Sequence, residues 1–180
     1  STATPTATPT VAASPTPTPP ALVILPGGGD PGPFEGDVVA GAGTFSLSSG
    51  QPTFRDRIYF RLLVKERGSS FDGDGVDRVE ISVRYQPENG SERQVYSRTE
   101  RTPGYCSFGG GEPNCDVVRI GRDARWPDTD TPIENGNYEV NFSVVRDGEN
   151  SPSANWRVPF VISNPDLPDG GPAAGPADIV

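Results

Sequence analysis

Three aspartates punctuate the turn-forming stretch Asp72-Gly73-Asp74-Gly75-Val76-Asp77. A calcium ion takes about six to eight oxygen ligands, and short loops supply them by spacing carboxylates around glycines that permit a sharp bend. Asp72, Asp74 and Asp77 are therefore candidate calcium ligands, and Asp128 and Asp130 would add to the set if their loop lay at the same end of the fold. No distant glutamate completes an EF-hand loop. The plainer reading is that Asp-Gly pairs form turns, because Asp bonds its own backbone and Gly accepts positive φ.

The two cysteines, Cys106 and Cys115, lie nine positions apart in a glycine-rich segment. Zinc would need two further ligands, and the chain has no histidine and no other cysteine. A structural disulfide in an oxidising compartment is the expectation. Gly109-Gly110-Gly111 lacks the helix and the Lys-Ser/Thr that a phosphate loop requires, so it reads as the tip of the disulfide loop. The absence of histidine removes the usual general base and the Ser-His-Asp arrangement. Glu100, Glu112 and Glu134 sit in no motif that would position a sugar ring for hydrolysis. The expectation is a protein that is not an enzyme and has no cofactor beyond calcium. Lys65 is the only lysine against fourteen arginines, which makes it a candidate for a covalent bond to Asn155 or Asn164 on the last strand; the plain alternative is an outward strand residue.

Composition limits the partners. The formal net charge is −9, which argues against nucleic acid or an anionic membrane as the main partner. No apolar run reaches the length of a membrane span. Glycine and proline together make 43 of 180 residues, and they gather at the ends and in turns, leaving one domain's worth of chain between Phe34 and Ile162. A chain opening on Ser1 is expected where an initiator or leader segment has been removed or where a longer protein has been cut.

The elements that would position these groups are strands. Ile58, Phe60, Leu62 and Val64 alternate with polar neighbours, as do Val79, Ile81, Val83 and Tyr85; Tyr138, Val140, Phe142 and Val144; and Trp156, Val158, Phe160 and Ile162. Thr44 to Leu47 is a weaker strand. Asn89-Gly90 predicts a hairpin turn, with Ser91 to Arg101 returning. No window sustains a helical period. Four segments result: a Thr/Pro-rich tail at 1–20, an apolar strand and Gly/Pro hinge at 21–33, a β-sandwich at 34–163, and a Pro/Gly-rich tail at 164–180.

The stretch Asn135-Gly136-Asn137-Tyr138-Glu139-Val140 resembles the tyrosine corner that opens a late strand of immunoglobulin-like folds. Val140 stands where antibody domains carry cysteine. The Asp72–Val79 turn and strand, and the loop from Tyr105 to Cys115, are similar to segments of bacterial extracellular immunoglobulin-like (Ig/fibronectin-III-type) domains of surface proteins. The resemblance covers about residues 54–163. It implies an all-β chain, an immunoglobulin-like β-sandwich of about seven strands with extended N- and C-terminal tails, located outside the cell at its surface.

The tail at 1–20 favours polyproline II, and at about 3.1 Å per residue it would reach roughly 60 Å. Thr2, Thr4, Thr6, Thr8, Thr10, Thr16 and Thr18 are candidate O-glycosylation sites. Beside the tail lies Leu22-Val23-Ile24-Leu25. Burying four such side chains is worth at most roughly 6–12 kcal/mol, so the segment must find cover. It forms either the first strand of its own sandwich or a strand added to a neighbour's sheet. Strand addition repeated head to tail does not close, and it makes a fibre. The expected role is therefore the structural subunit of an extracellular, pilus-like surface filament, with the chain itself as partner. The alternative is a stalked adhesion or binding module for carbohydrate or another ligand, with calcium, for which Trp126, Tyr105 and Phe108 would form an exposed aromatic cluster. Asp178-Ile179-Val180 is either a second docking strand or a frayed end.

Overall fold

A computed structural model describes residues 21–48, 50–111 and 114–169. The chain is all-β, with no helix among the described residues. The described residues form fourteen strand segments: β1 (Leu22–Ile24), β2 (Gly28–Asp30), β3 (Phe34–Gly41), β4 (Phe45–Ser48), β5 (Gln51–Phe54), β6 (Arg57–Ile58), β7 (Arg61–Glu66), β8 (Val76–Gln86), β9 (Arg93–Glu100), β10 (Gly110–Gly111), β11 (Asn114–Cys115), β12 (Val118–Arg119), β13 (Gly136–Arg146) and β14 (Pro152–Ile162). The predicted count of about seven holds only if the short pieces are set aside. The expected single strand at 57–65 is broken at Tyr59-Phe60 into β6 and β7.

One sheet runs β1-β3-β7 and the larger runs β4-β5-β14-β13-β8-β9, with β2 also on β14. A two-stranded β12–β6 ladder and a two-stranded β10–β11 hairpin complete the set. The larger sheet is antiparallel except where β5 joins the end of β14 in parallel, pairing Thr53 with Val161 and Phe54 with Ile162. The alternating residues of β8, β13 and β14 face a single core that also takes Phe34, Val38 and Ala40 from β3 and Leu62 and Val64 from β7. Two sheets sharing one core is the layered arrangement that period-two patterning demands. The Trp156 indole N–H crosses between the layers to the carbonyl of Gly36, at 3.1 Å.

β3 has no clean alternation in sequence, and its glycine explains why. A Cβ at position 36 would stand 2.3 Å from the Leu63 carbonyl oxygen and 2.9 Å from the Val64 Cα. The strand can lie this close to β7 only without a side chain there.

The segment expected to be a hinge is fastened. β2 pairs with β14, Gly28 opposite Arg157 and Asp30 opposite Asn155. Cβ atoms at Gly27, Gly29 and Gly32 would each come 2.2 Å from a β14 carbonyl oxygen, those of Arg157, Asn155 and Ser153 in turn. These glycines serve close approach rather than freedom.

Candidate functional site

The N-terminal strand is held by its own chain. β1 runs antiparallel to β3, with Leu22 opposite Gly41, Val23 opposite Ala40 and Ile24 opposite Val39. The Leu25 amide donates to the Val38 carbonyl at 2.9 Å. Successive side chains leave opposite faces of a strand, and the four linking candidates divide accordingly. Leu25 is 4% exposed and belongs to the core, and Val23 is half-buried. Leu22 at 42% and Ile24 at 62% stay in solvent. β1 ends the order of its sheet, so among the described residues no strand pairs with its second edge. Edge strands are commonly protected by charge, proline within the run, or a bulge. Residues 21–25 carry no charge and no proline, and β1 pairs with β3 without a register shift. The far edge of the larger sheet differs, because β9 is studded with Arg93, Arg98 and Glu100.

The aspartate turn is occupied with its own backbone. Asp72 Oδ1 accepts the Val64 N–H at 2.7 Å, and Asp74 Oδ2 accepts the Phe71 N–H at 3.1 Å. The Gly73 amide donates to the Val64 carbonyl and the Glu66 amide to the Asp74 carbonyl, which ties the turn along β7. Asp77 has moved onto β8, where Arg78 and Arg101 each bind it at 2.8 Å. These guanidinium groups, Arg78 foremost, hold its carboxyl below the usual range. Asp128 adopts a positive φ of 57° in the turn after Trp126, and Asp130 accepts a bond from Arg125 through its backbone carbonyl. Among the described residues, no cluster of three or more acidic or cysteine side chains is arranged to hold a metal.

Cys106 and Cys115 are joined, with Cα atoms 5.3 Å apart. The residues before and after Cys106 seal the point where β6 gives way to β7. Ser107 donates its amide to the Phe60 carbonyl and accepts the Phe60 N–H on Oγ, both at 2.9 Å. Leu62 N–H reaches the Tyr105 carbonyl at 3.3 Å. The disulfide therefore anchors a loop that substitutes for a neighbouring strand. Gly110 and Gly111 form the small β10–β11 ladder with Cys115 and Asn114.

Trp126, Tyr105 and Phe108, the residues that a stalked binding module would expose, are all buried. Trp126 packs against Tyr96, Phe108 and Tyr138, with ring centroids 6.5, 6.0 and 5.6 Å apart. Tyr138 bonds back to the backbone four residues upstream. Its hydroxyl donates to the Glu134 carbonyl at 2.8 Å and accepts the Glu134 N–H at 3.2 Å. Burial pushes its phenol well above the ordinary tyrosine range, as it does that of Tyr105.

No family model matches this chain, and neither a curated protein nor a solved structure matches it.

Lys65 sits 3.4 Å from Glu35 and donates to the Ser69 carbonyl. Its supposed partners are engaged elsewhere: Asn155 Oδ1 accepts from Asp30, and Asn164 Nδ2 donates to the Arg55 and Ile120 carbonyls. The Lys65–Glu35 ion pair lies within the β1-β3-β7 sheet. Glu100 is buried, which by itself would raise its pKa. The Thr102 and Arg101 amides on Oε1 and the Arg98 guanidinium on Oε2 outweigh burial and keep it ionised. Glu134 pairs with Arg93 at 2.9 Å. The buried Glu100 cradle carries no signal in the sequence, because its partners are mostly backbone amides. Glu112, the seven threonine candidates of the N-terminal tail, and Asp178 to Val180 lie outside the described residues. No helix among the described residues is long and apolar enough to cross a membrane.

Proposed function

We propose that this chain is a structural subunit of an extracellular bacterial surface filament, an immunoglobulin-like sandwich that self-assembles by strand addition through its N-terminal segment. The observation that carries the reading is β1 itself: an uncharged edge strand that keeps Leu22 and Ile24 in water. β1 remains on β3, where Val23 and Leu25 are covered, and its second edge takes a strand from a neighbouring copy. If that strand comes from a different part of the neighbour, the contact is heterologous and repeats without closing. The immunoglobulin-like assignment is supported by the strand order β14-β13-β8-β9 and by the Tyr138 corner. The disulfide supports an oxidising compartment. Burial of Trp126, Tyr105 and Phe108 leaves the binding-module alternative without its aromatic surface.

The double variant L22E/I24E tests this. Both side chains are exposed, so each change should alter folding stability by about 0.5 kcal/mol or less. Light scattering after gel filtration, together with negative-stain microscopy, should show assemblies that grow with concentration for the parent chain. The variant should be monomeric with an unchanged melting midpoint. A parent chain that stays monomeric at high concentration, or a double variant that assembles equally well, would reject the reading.

A further inference from the structure

The sequence contains two Asn-Gly pairs, and the fold treats them in opposite ways. Asn89-Gly90 lies in the loop between β8 and β9, where the last paired residues are Tyr85 and Arg93. Asn89 and Gly90 are both exposed, and no hydrogen bond among the described residues engages the Asn89 side chain. A Cβ placed on Gly90 would meet only the Pro87 ring edge, at 3.5 Å, so the fold leaves Gly90 uncrowded. Asn135-Gly136 carries the same dipeptide at the start of β13. The Asn135 amide nitrogen Nδ2 donates to the Asn164 carbonyl at 3.0 Å, the Leu167 carbonyl at 3.3 Å and Asp169 Oδ1 at 3.4 Å. Its Oδ1 accepts the Asn164 N–H at 2.7 Å, and its own N–H donates to the Pro168 carbonyl at 3.1 Å. Gly136 is pressed against the Tyr85 ring, which a Cβ there would approach to 2.9 Å.

We infer that Asn89 is a site of spontaneous self-modification and that Asn135 is protected from the same chemistry. The backbone nitrogen of Gly90 attacks Cγ of Asn89. The new C–N bond closes a five-membered succinimide, and the Asn89 Nδ2 leaves as ammonia, carrying the proton lost from the Gly90 nitrogen. Water then opens the ring at one of its two carbonyls, leaving aspartate or isoaspartate at position 89. No oxidant, reductant or cofactor enters. Glycine favours the attack because it puts no side chain beside the nucleophile and leaves φ free. At Asn135 the same attack would have to break the bonds on Nδ2 and Oδ1 and turn Cγ toward a nitrogen confined beneath Tyr85.

The product matters to the fold. The loop already holds Glu88 and Glu92, and Glu92 bonds Arg84 at 2.7 Å and Gln86 at 3.4 Å. A carboxylate at position 89 adds a third negative charge to compete for those partners. The isoaspartate form also lengthens the backbone between two strands whose register is fixed. A long-lived copy of the protein thus acquires a charge mark at one defined turn.

The test is incubation of the intact, folded chain at mildly alkaline pH, followed by tryptic mapping. Asn89 falls in the peptide 85–93 and Asn135 in 126–146. Peptide 85–93 should convert to the acid forms, with isoaspartate the larger share, at least about tenfold faster than Asn135 converts. That ratio corresponds to about 1.4 kcal/mol in barrier. In urea, where the fold is lost, the two rates should converge. N89Q should abolish conversion in 85–93 and leave 126–146 unchanged. Equal rates at the two sites in the folded chain would overturn the inference, and so would an Asn89 that stays amide when folded yet converts in urea.

Discussion

Replacing Tyr138 by phenylalanine separates the corner's hydrogen bonds from its packing. The ring stays between Tyr85 and Phe160, whose centroids lie 4.8 and 5.4 Å away, so the core keeps its volume. What is lost is the hydroxyl, with its bonds to the carbonyl and the amide of Glu134. An intramolecular hydrogen bond nets about 0.5–1.5 kcal/mol, and leaving a partner unsatisfied costs about 1–3 kcal/mol. Glu134 is half-buried, and water can recover part of that loss. The expected cost of Y138F is therefore about 1.5–3 kcal/mol. For a domain of this size that corresponds to about 3–12 °C in the melting midpoint. Urea and thermal melts of Y138F should be compared with Y59F, whose ring is partly buried against the core and whose hydroxyl makes no comparable bond among the described residues. Amide exchange adds a local readout, since the Glu134 N–H should lose protection specifically. A Y138F chain within about 0.5 kcal/mol of the parent, or an unchanged Glu134 amide, would refute the claim that this bond fixes the entry to β13.

Two further outcomes are expected. Reducing the Cys106–Cys115 bond, or the pair C106A/C115A, should lower stability by about 2.5–3 kcal/mol from loop entropy alone, read as a shift in the urea midpoint with and without reductant. Burial raises the pKa of Tyr85, Tyr96, Tyr105 and Tyr138 above the ordinary 10.0. Their contribution is complete below the unfolded value and is lost as pH rises beyond it, because the unfolded chain releases these protons first. Stability measured by urea melts should thus fall steadily above about pH 10, and an alkaline plateau would contradict the burial of these phenols.

The readable parts of the fold were those where one physical demand acts alone. β8, β13 and β14 bury one face against a core, and alternation follows directly. The turn into β13 was legible because Asn-Gly accepts the positive φ that Gly136 adopts there. β3 was hidden because Gly36 and Asp37 interrupt its pattern, and the reason for Gly36 is a distance to β7 that no local window contains. β5 was hidden by Pro52, which precedes the two residues, Thr53 and Phe54, that pair with β14. At the candidate site, the sequence identified the apolar segment but not how its residues divide. Which of Leu22, Val23, Ile24 and Leu25 face inward depends on the register with β3, and a wholly apolar run has no alternation to reveal it. The aromatic residues offered as an exposed cluster for a binding module, Trp126, Tyr105 and Phe108, are buried. Tyr96 and Tyr138 pack around Trp126.

The glycines at 27, 29 and 32 have a consequence for how this sequence can drift. A stretch whose composition suggests that almost any replacement is harmless is here one of the least forgiving in the chain. Every substitution at these codons introduces at least a methyl group where a carbonyl oxygen already stands, and at 29 and 32 it also demands a backbone angle that other residues resist. The damage would not stay local: peeling this ribbon from its neighbour loosens the leash on the greasy strand that the proposed assembly depends on.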